Sequence, residues 1–117
     1  MILDDIKNKL QEIDSKVYYA AVDLSVKDTV WDYIVFERSA LRVNANKTGY
    51  TEEYTVRIIR EEFIPEGLEI EVIEKMLEIP GMRLKSDGGI YEYVPKPNTN
   101  NVVEMFSVGF VRPKKKV

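Results

Sequence analysis

An alternating stretch near the middle of the sequence constrains the fold more than any other feature. From Tyr50 to Arg60, apolar or aromatic side chains alternate with polar ones, a period of two that is typical of a β-strand with one buried face. The stretch from Trp31 to Val43 is rich in aromatic and β-branched residues, and Asn44 to Gly49 supplies turn-forming residues. The sequence therefore predicts a long β-hairpin. One strand face is expected to carry Tyr50, Tyr54, Val56 and Ile58, and the other Thr51, Glu53, Thr55 and Arg57.

Two other stretches have the period of a helix. In the first, Ile2, Ile6, Leu10 and Ile13 recur at spacings of four, four and three, and the helix is expected to end near Asp14–Ser15. The second is expected from Leu68 to Ile79, and Pro80-Gly81 ends it. Its apolar stripe consists of Leu68, Val72, Met76 and Ile79.

The remaining segments indicate further strands. These are Val17–Val22, then Met82–Leu84 and Ile90–Val94 around a hairpin turn at Lys85–Gly89, and last Val102–Val111 with a short basic end at 112–117. The order helix, three strands, helix, three strands predicts a single α+β domain over residues 1–117. In it, two helices pack on one face of a largely antiparallel β-sheet. The expected core contains Ile6, Leu10, Ile34, Phe36, Val56, Ile58, Val72, Met76, Phe106 and Val108.

The composition excludes several kinds of chemistry. The chain has no cysteine and no histidine, so it has no disulfide, no thiolate ligand and no imidazole base. We therefore expect a protein that is not an enzyme, with no catalytic residue, no cofactor and no metal. No apolar run reaches the ~18 residues of a membrane span, and the start from Met1 to Lys9 lacks the pattern of a signal peptide. We expect no membrane partner and a cytoplasmic location, or that of an assembly built there.

Three patterns that resemble binding motifs have simpler interpretations. The dense acids from Glu52 to Glu78 are expected to be solvated strand and helix faces rather than a carboxylate metal site. The spacing of Asp23, Asp28 and Asp32 is not that of a calcium-binding loop. Ser86–Gly89 is followed by strand residues rather than by a helix, which favours a turn over a phosphate-binding loop.

The basic residues leave two interpretations open. Together with nearby tyrosines they suit a small nucleic-acid platform, or else they pair with glutamates across the strands. A formal net charge of −3 favours the pairing and argues against a nucleic-acid partner. The residues concerned are Arg38, Arg42, Arg57, Arg60 and Lys114 to Lys116, with Tyr50 and Tyr54.

The layout of the whole chain resembles the tail-terminator and tail-completion (head–tail joining) proteins of long-tailed bacteriophages and prophages. The resemblance rests on the helix Ile2 to Ile13, an aromatic strand Trp31 to Glu37, its hairpin partner Tyr54 to Ile59, the helix Leu68 to Ile79, and final strands through Ile90–Tyr93 and Val102–Val111. Asp32 stands where proline is common in that family. The resemblance implies a structural subunit of a homo-oligomeric ring, often a hexamer. Such a ring caps the tail tube or joins it to the head connector, in the virion or in the host cytoplasm during assembly.

Three hypotheses about function follow. The first is this virion assembly joint, the second a small cytoplasmic protein-binding or regulatory module, and the third a nucleotide- or nucleic-acid-binding domain. For the first, we expect self-assembly through the hairpin tip and the sheet edge rather than through the basic end, because the tip is small and polar and has no core role. The competing interpretation is an ordinary loop on a monomer. The candidate interface residues are Asn44, Asn46, Lys47, Thr48, Gly49 and Tyr50.

Overall fold

The computed structural model describes residues 1–21, 31–44 and 49–115, and it shows an α+β fold. Within these described ranges, seven elements follow one another. They are α1 (Ile2–Gln11), β1 (Val17–Tyr19), β2 (Tyr33–Val43), β3 (Gly49–Glu61), α2 (Leu68–Leu77), β4 (Arg83–Pro95) and β5 (Val102–Lys115). Neither helix is long and apolar enough to cross a membrane, and this holds for the described part of the chain.

Local chemistry accounts for both helices. Asp4 and Asp5 lie in the first turn of α1 and Lys9 in its last turn, so the charges complement the helix dipole. Helix α2 begins after Gly67, whose φ of 91° is accessible to glycine at little cost. Helix α1 ends three to four residues before its predicted limit and α2 ends two residues before. In each, the next residues continue with hydrogen bonds to the carbonyl three positions back, such as that from the Ile79 N–H to the Met76 carbonyl at 3.1 Å, instead of four positions back.

The five strands form one sheet in the order β1-β2-β3-β5-β4. The pairing of β1 with β2 is parallel, and the other three are antiparallel. The predicted long hairpin is confirmed, since β2 and β3 pair from Tyr33 opposite Ile59 to Val43 opposite Tyr50. Strand β5 then lies beside β3, so β3 is the central strand of the sheet.

The main core lies between the two helices and one face of the sheet. All ten predicted core residues are buried there, with at most 6% of any of them exposed. The prediction of helices on one face of a largely antiparallel sheet is thereby confirmed. Tyr54 joins this core and is fully buried, although its hydroxyl is polar.

The predicted hairpin at Lys85–Gly89 is wrong. The two segments that it was meant to connect belong to one strand, β4, and the pairing with β5 shifts between Leu84 and Gly89 as in a β-bulge. Gly88 has a φ of 68°, a left-handed conformation that glycine adopts easily. The two glycines therefore belong to the β-bulge and not to a turn that reverses the chain. The second half of the chain therefore has two strands and not three.

The limits of two other predicted strands also differ from the prediction. Strand β1 ends at Tyr19 instead of Val22, and Val22 lies outside the described residues. Strand β5 continues past Val111 to Lys115, so most of the predicted basic end is strand. Pro113 is tolerated because β4 reaches only to Val111, which leaves one edge of β5 unpaired at the proline.

Candidate assembly surface

Three strands extend together beyond the part of the sheet that the helices cover. We call residues 38–43, 49–53 and 111–115 the arm. The described molecule measures 51 × 26 × 25 Å, an elongation that strands of up to 14 residues, rising about 3.3 Å per residue, account for. Burial along β2 stops after Phe36, where β1 also ends. From Glu37 onward, the outer edge of β2 has no strand partner within the described chain.

The described members of the predicted interface lie at the end of the arm. The Asn44 N–H donates a hydrogen bond to the Gly49 carbonyl at 3.0 Å, and the Thr51 hydroxyl donates to Asn44 Oδ1 at 2.9 Å. Tyr50 lies between Val43 on β2 and Lys114 on β5. The structure therefore brings Asn44, Gly49 and Tyr50 together, while Asn46, Lys47 and Thr48 lie outside the described residues.

The pairing of Tyr50 with Lys114 places the basic end beside the hairpin. The sequence prediction separates these two surfaces, since it places the interface at the hairpin tip and the sheet edge and not at the basic end. Pairing with β3 makes residues 111–115, which include Lys114 and Lys115, the third strand of the arm. Any contact made by the tip of the arm consequently lies close to basic side chains.

The arm also exposes two apolar side chains that sequence reasoning did not select. Leu41 is 67% exposed and Val43 is 64% exposed. Aliphatic residues at spacing two in a strand share a face, so the sequence does indicate that Leu41 and Val43 lie together. It does not show that they lie outside the core, because that depends on where the helices end.

Hydrogen bonds connect the arm to the neighbouring residues Tyr54 and Tyr19. The Tyr54 hydroxyl donates to Glu52 Oε2 at 2.9 Å, and burial together with this hydrogen bond raises the pKa of Tyr54 to about 12. Arg38 Nε donates to the Tyr19 hydroxyl at 3.4 Å. A notch of about 290 Å³ opens beside the β2 irregularity, lined by Arg38, Ser39, Ala40, Leu41 and Glu52.

Three of the four strand arginines, Arg42, Arg57 and Arg60, pair with acids, as the sequence favoured, whereas Arg38 bonds to the Tyr19 hydroxyl. Arg42 Nε lies 2.9 Å from Glu53 Oε1, and Arg57 pairs with Glu37 on the neighbouring strand. The hydrogen bond from Arg42 holds the pKa of Glu53 below its usual value.

Arg60 differs from Arg42 and Arg57. Its guanidinium lies 2.6 Å from Asp14, which follows α1, and both side chains are largely buried. This ion pair therefore ties β3 to the helix layer, and its role is in packing rather than in forming a surface.

The acidic stretch from Glu52 to Glu78 does not form a metal site. No group of three or more acids in the described ranges could hold an ion. Glu78 accepts a hydrogen bond from Lys9 at 2.8 Å, which joins the two helices and lowers the pKa of this glutamate. Glu69 accepts from the Tyr91 hydroxyl at 2.5 Å. Asp23 and Asp28 lie outside the described residues.

The outward face of α2 is unusual for a surface helix. Ile70 is 58% exposed and Leu77 is 43% exposed, and their spacing of seven places them on one side. That side is opposite to the buried Val72 and Met76. Exposed Glu74 lies between the two apolar residues. In α1, by contrast, the exposed positions inside the helix carry polar side chains: Asp4, Asp5, Lys7, Asn8 and Gln11.

The sheet face away from the helices carries a second apolar cluster. Tyr33, Val35, Ile59 and Val103 are buried there, although the sequence assigned this face to solvent. A cleft of about 280 Å³ opens over this cluster, with Arg57 as its charged side chain. Its lining consists of Ala20, Ala21, Trp31, Tyr33, Val35, Arg57, Ile59 and Met105.

Comparisons with known proteins do not assign the chain to a family. No protein-family model matches its sequence, and no curated protein matches it either. Hypotheses about its function therefore depend on the arm, the α2 face, the cleft and the layout of the elements.

Proposed function

We propose that this protein is a non-enzymatic structural subunit that assembles with copies of itself. In the more specific form, it is a phage tail-completion or tail-terminator protein that forms a ring at the end of the tail tube or at the head–tail joint. The main support for this proposal is the arm, because its exposed residues add nothing to the core. Leu41 and Val43 are each more than three-fifths exposed beside the described residues, and contact with another molecule would bury their apolar surface.

The shape of the molecule supports the same function. A subunit that contacts neighbours on two sides benefits from a projecting element, and the long axis of 51 Å is about twice either other dimension. A ring requires head-to-tail interfaces, in which one surface of a copy meets a different surface of the next. The layout that resembles tail-completion proteins agrees with such a role, and their partners would be tail-tube or head-connector proteins.

The absence of His and Cys from the sequence also agrees with a structural role. The two tyrosines with a pKa near 12, Tyr54 and Tyr91, each donate a hydrogen bond to a glutamate. A raised pKa makes the deprotonated form of these tyrosines still scarcer at neutral pH, which is the opposite of what a catalytic base needs.

The apolar cleft supports a second candidate, a small protein-binding or regulatory module. A partner would insert an apolar side chain beside Trp31 and Ile59 and place an acidic group near Arg57. This function requires no self-association, which distinguishes it from the first.

Light scattering and negative-stain electron microscopy test the two candidates. We expect the intact chain to form closed rings as concentration rises, and a variant with residues 44–49 replaced by a two-residue turn to lose them. A chain that stays monomeric at its highest soluble concentration would refute the ring. Identical rings from both chains would show that the arm tip has no role in assembly.

A further inference from the structure

If the arm contacts a second copy, the surface that it contacts must also gain from burial, as exposed apolar residues do. Two regions stand out: the outward face of α2 and the outer edge of β4, where Ile90 and Tyr93 are each about 60% exposed. A helix or strand that exposes large aliphatic side chains gains free energy when a partner covers them. These two regions differ in charge, and we use this difference to decide which of them is the better partner for the arm.

The arm is basic. Residues 38–43, 49–53 and 111–115 contain five basic residues and two acidic ones. Both acids already have neighbours, since Glu53 pairs with Arg42 and Glu52 accepts the hydrogen bond of Tyr54. Arg38 reaches the neutral Tyr19 hydroxyl by a hydrogen bond and lies beside Leu41 in the notch. The arm thus presents apolar side chains next to a guanidinium without a carboxylate hydrogen-bond partner among the described residues.

The region around α2 has the opposite charge. Residues 66–78 contain five acidic residues and one basic residue. Glu78 is engaged by Lys9 and Lys75, and Glu69 by Tyr91. The remaining three acids are exposed: Glu71 and Glu74 lie on α2, with Glu74 between Ile70 and Leu77 along the helix, and Glu66 lies just before α2. By contrast, β4 contains two basic and two acidic residues, so the charge of the arm gives no preference for it.

We propose that the arm of one copy docks on the outward face of α2 of the next copy. Leu41 and Val43 cover Ile70 and Leu77, and the basic residues of the arm face the three exposed glutamates. This inference rests on the proposed ring function and specifies the surface that receives the arm. Because the two surfaces are different, each copy uses its arm toward one neighbour and its α2 toward the other, as a head-to-tail assembly requires.

Two variants test the two sides of this interface. Leu41→Asp places a charge on the arm, and Ile70→Asp places one on α2, at positions 67% and 58% exposed, so folding tolerates both. Ile90→Asp on β4, at 62% exposure, is the matched control. We expect each of the first two variants to lower the association constant at least about tenfold, and the control to assemble like the unchanged chain.

Mixing the two defective variants gives the sharper result. The Ile70→Asp chain keeps an intact arm, and the Leu41→Asp chain keeps an intact α2 face. One productive interface remains between them, so the mixture should give a 1:1 dimer in sedimentation velocity that grows no further. Circular dichroism melts of each variant verify that both are folded.

Each contrary outcome has a distinct meaning. Rings that persist in both single variants would refute docking on α2 and leave the proposed ring function in place. Loss of rings in Ile90→Asp alone would move the interface to the β4 edge and refute the inference. A mixture that stays monomeric would also refute it, because the interface would then not join these two surfaces. An unchanged chain that never associates would refute both proposals.

Discussion

The ring of Phe106 lies so close to Gly89 that a Cβ at position 89 would come within 2.2 Å of Phe106 Cζ. This contact crosses from β5 to β4 just after the β-bulge, where pairing resumes with Gly89 opposite Val108. Tyr91 then packs against the same ring, with centroids 4.9 Å apart. Glycine is required at position 89 by the proximity of a side chain and not by its backbone angle.

Replacing Gly89 by alanine should therefore destabilise the fold. Phe106 is nearly buried and cannot swing into solvent, so we expect a loss of about 1–3 kcal/mol from overpacking, measured by urea unfolding. Gly88→Ala is the control. It has open space around it but a φ of 68°, so it should cost about 1–2 kcal/mol through backbone strain alone.

A smaller side chain at position 106 separates the two mechanisms. In a Phe106→Leu background, the cost of Gly89→Ala should shrink, while the cost of Gly88→Ala should not change. Equal costs in both backgrounds would contradict the steric explanation for Gly89.

The ion pair between Arg60 and Asp14 should contribute strongly to stability. Arg60 also donates to the carbonyls of Tyr33 and Ile59, and only 13% of its side chain and 15% of that of Asp14 are exposed. Removing one partner leaves a largely buried charge, so Arg60→Met should lower the unfolding free energy by about 3 kcal/mol. Lys9→Met, which breaks the exposed pair with Glu78, should cost much less than Arg60→Met. Similar losses in both variants would show that burial of the Arg60 pair is unimportant.

The position of Ile58 on the inward face of β3 leads to a packing prediction. Ile58→Ala should cost about 2–5 kcal/mol, because the residue is fully buried in the main core. Ile90→Ala removes the same atoms from a residue that is 62% exposed and should change stability by less than about 0.5 kcal/mol. Chemical denaturation of both variants measures the difference. A cost below about 0.5 kcal/mol at Ile58 would mean that the inward face of β3 is wrongly assigned.

Acid should destabilise the protein partly through Glu61. The hydrogen bond from Lys96 and that from the Trp31 backbone N–H hold the pKa of Glu61 below 4.5. Between the lowered pKa and 4.5, the unfolded chain binds more protons than the folded one. The stabilisation is therefore fully present above pH 4.5 and is lost as pH falls through the folded-state pKa.

Two variants and one spectroscopic measurement check this pH dependence. Glu61→Gln removes the titrating group and should flatten the fall of unfolding free energy below pH 4.5. Lys96→Met should raise the pKa of the Glu61 carboxyl, as followed by nuclear magnetic resonance. A Glu61 pKa unchanged in Lys96→Met would contradict the assigned cause.

The candidate surface was only partly predictable from the sequence. The turn-forming residues from Asn44 to Gly49 located its tip, because such residues act locally. Leu41, Val43, Ile70 and Leu77 have the same character in the sequence as core residues, and their exposure became evident only from the structure. Which of two apolar faces is covered depends on where the helices lie, and that information is absent from any short segment.

By itself, the sequence determined the elements whose pattern is local. The period near 3.6 in α1 and α2 and the period of two in β2, β3 and β5 identified all ten predicted core residues, because period fixes which side chains share a face. The tertiary structure decided the relations between distant segments: the strand order β1-β2-β3-β5-β4, the continuity of β4 through Gly88, and the pairing of Tyr50 with Lys114. Those relations depend on hydrogen bonds between residues far apart in the chain, so only the folded sheet makes the basic end part of the arm.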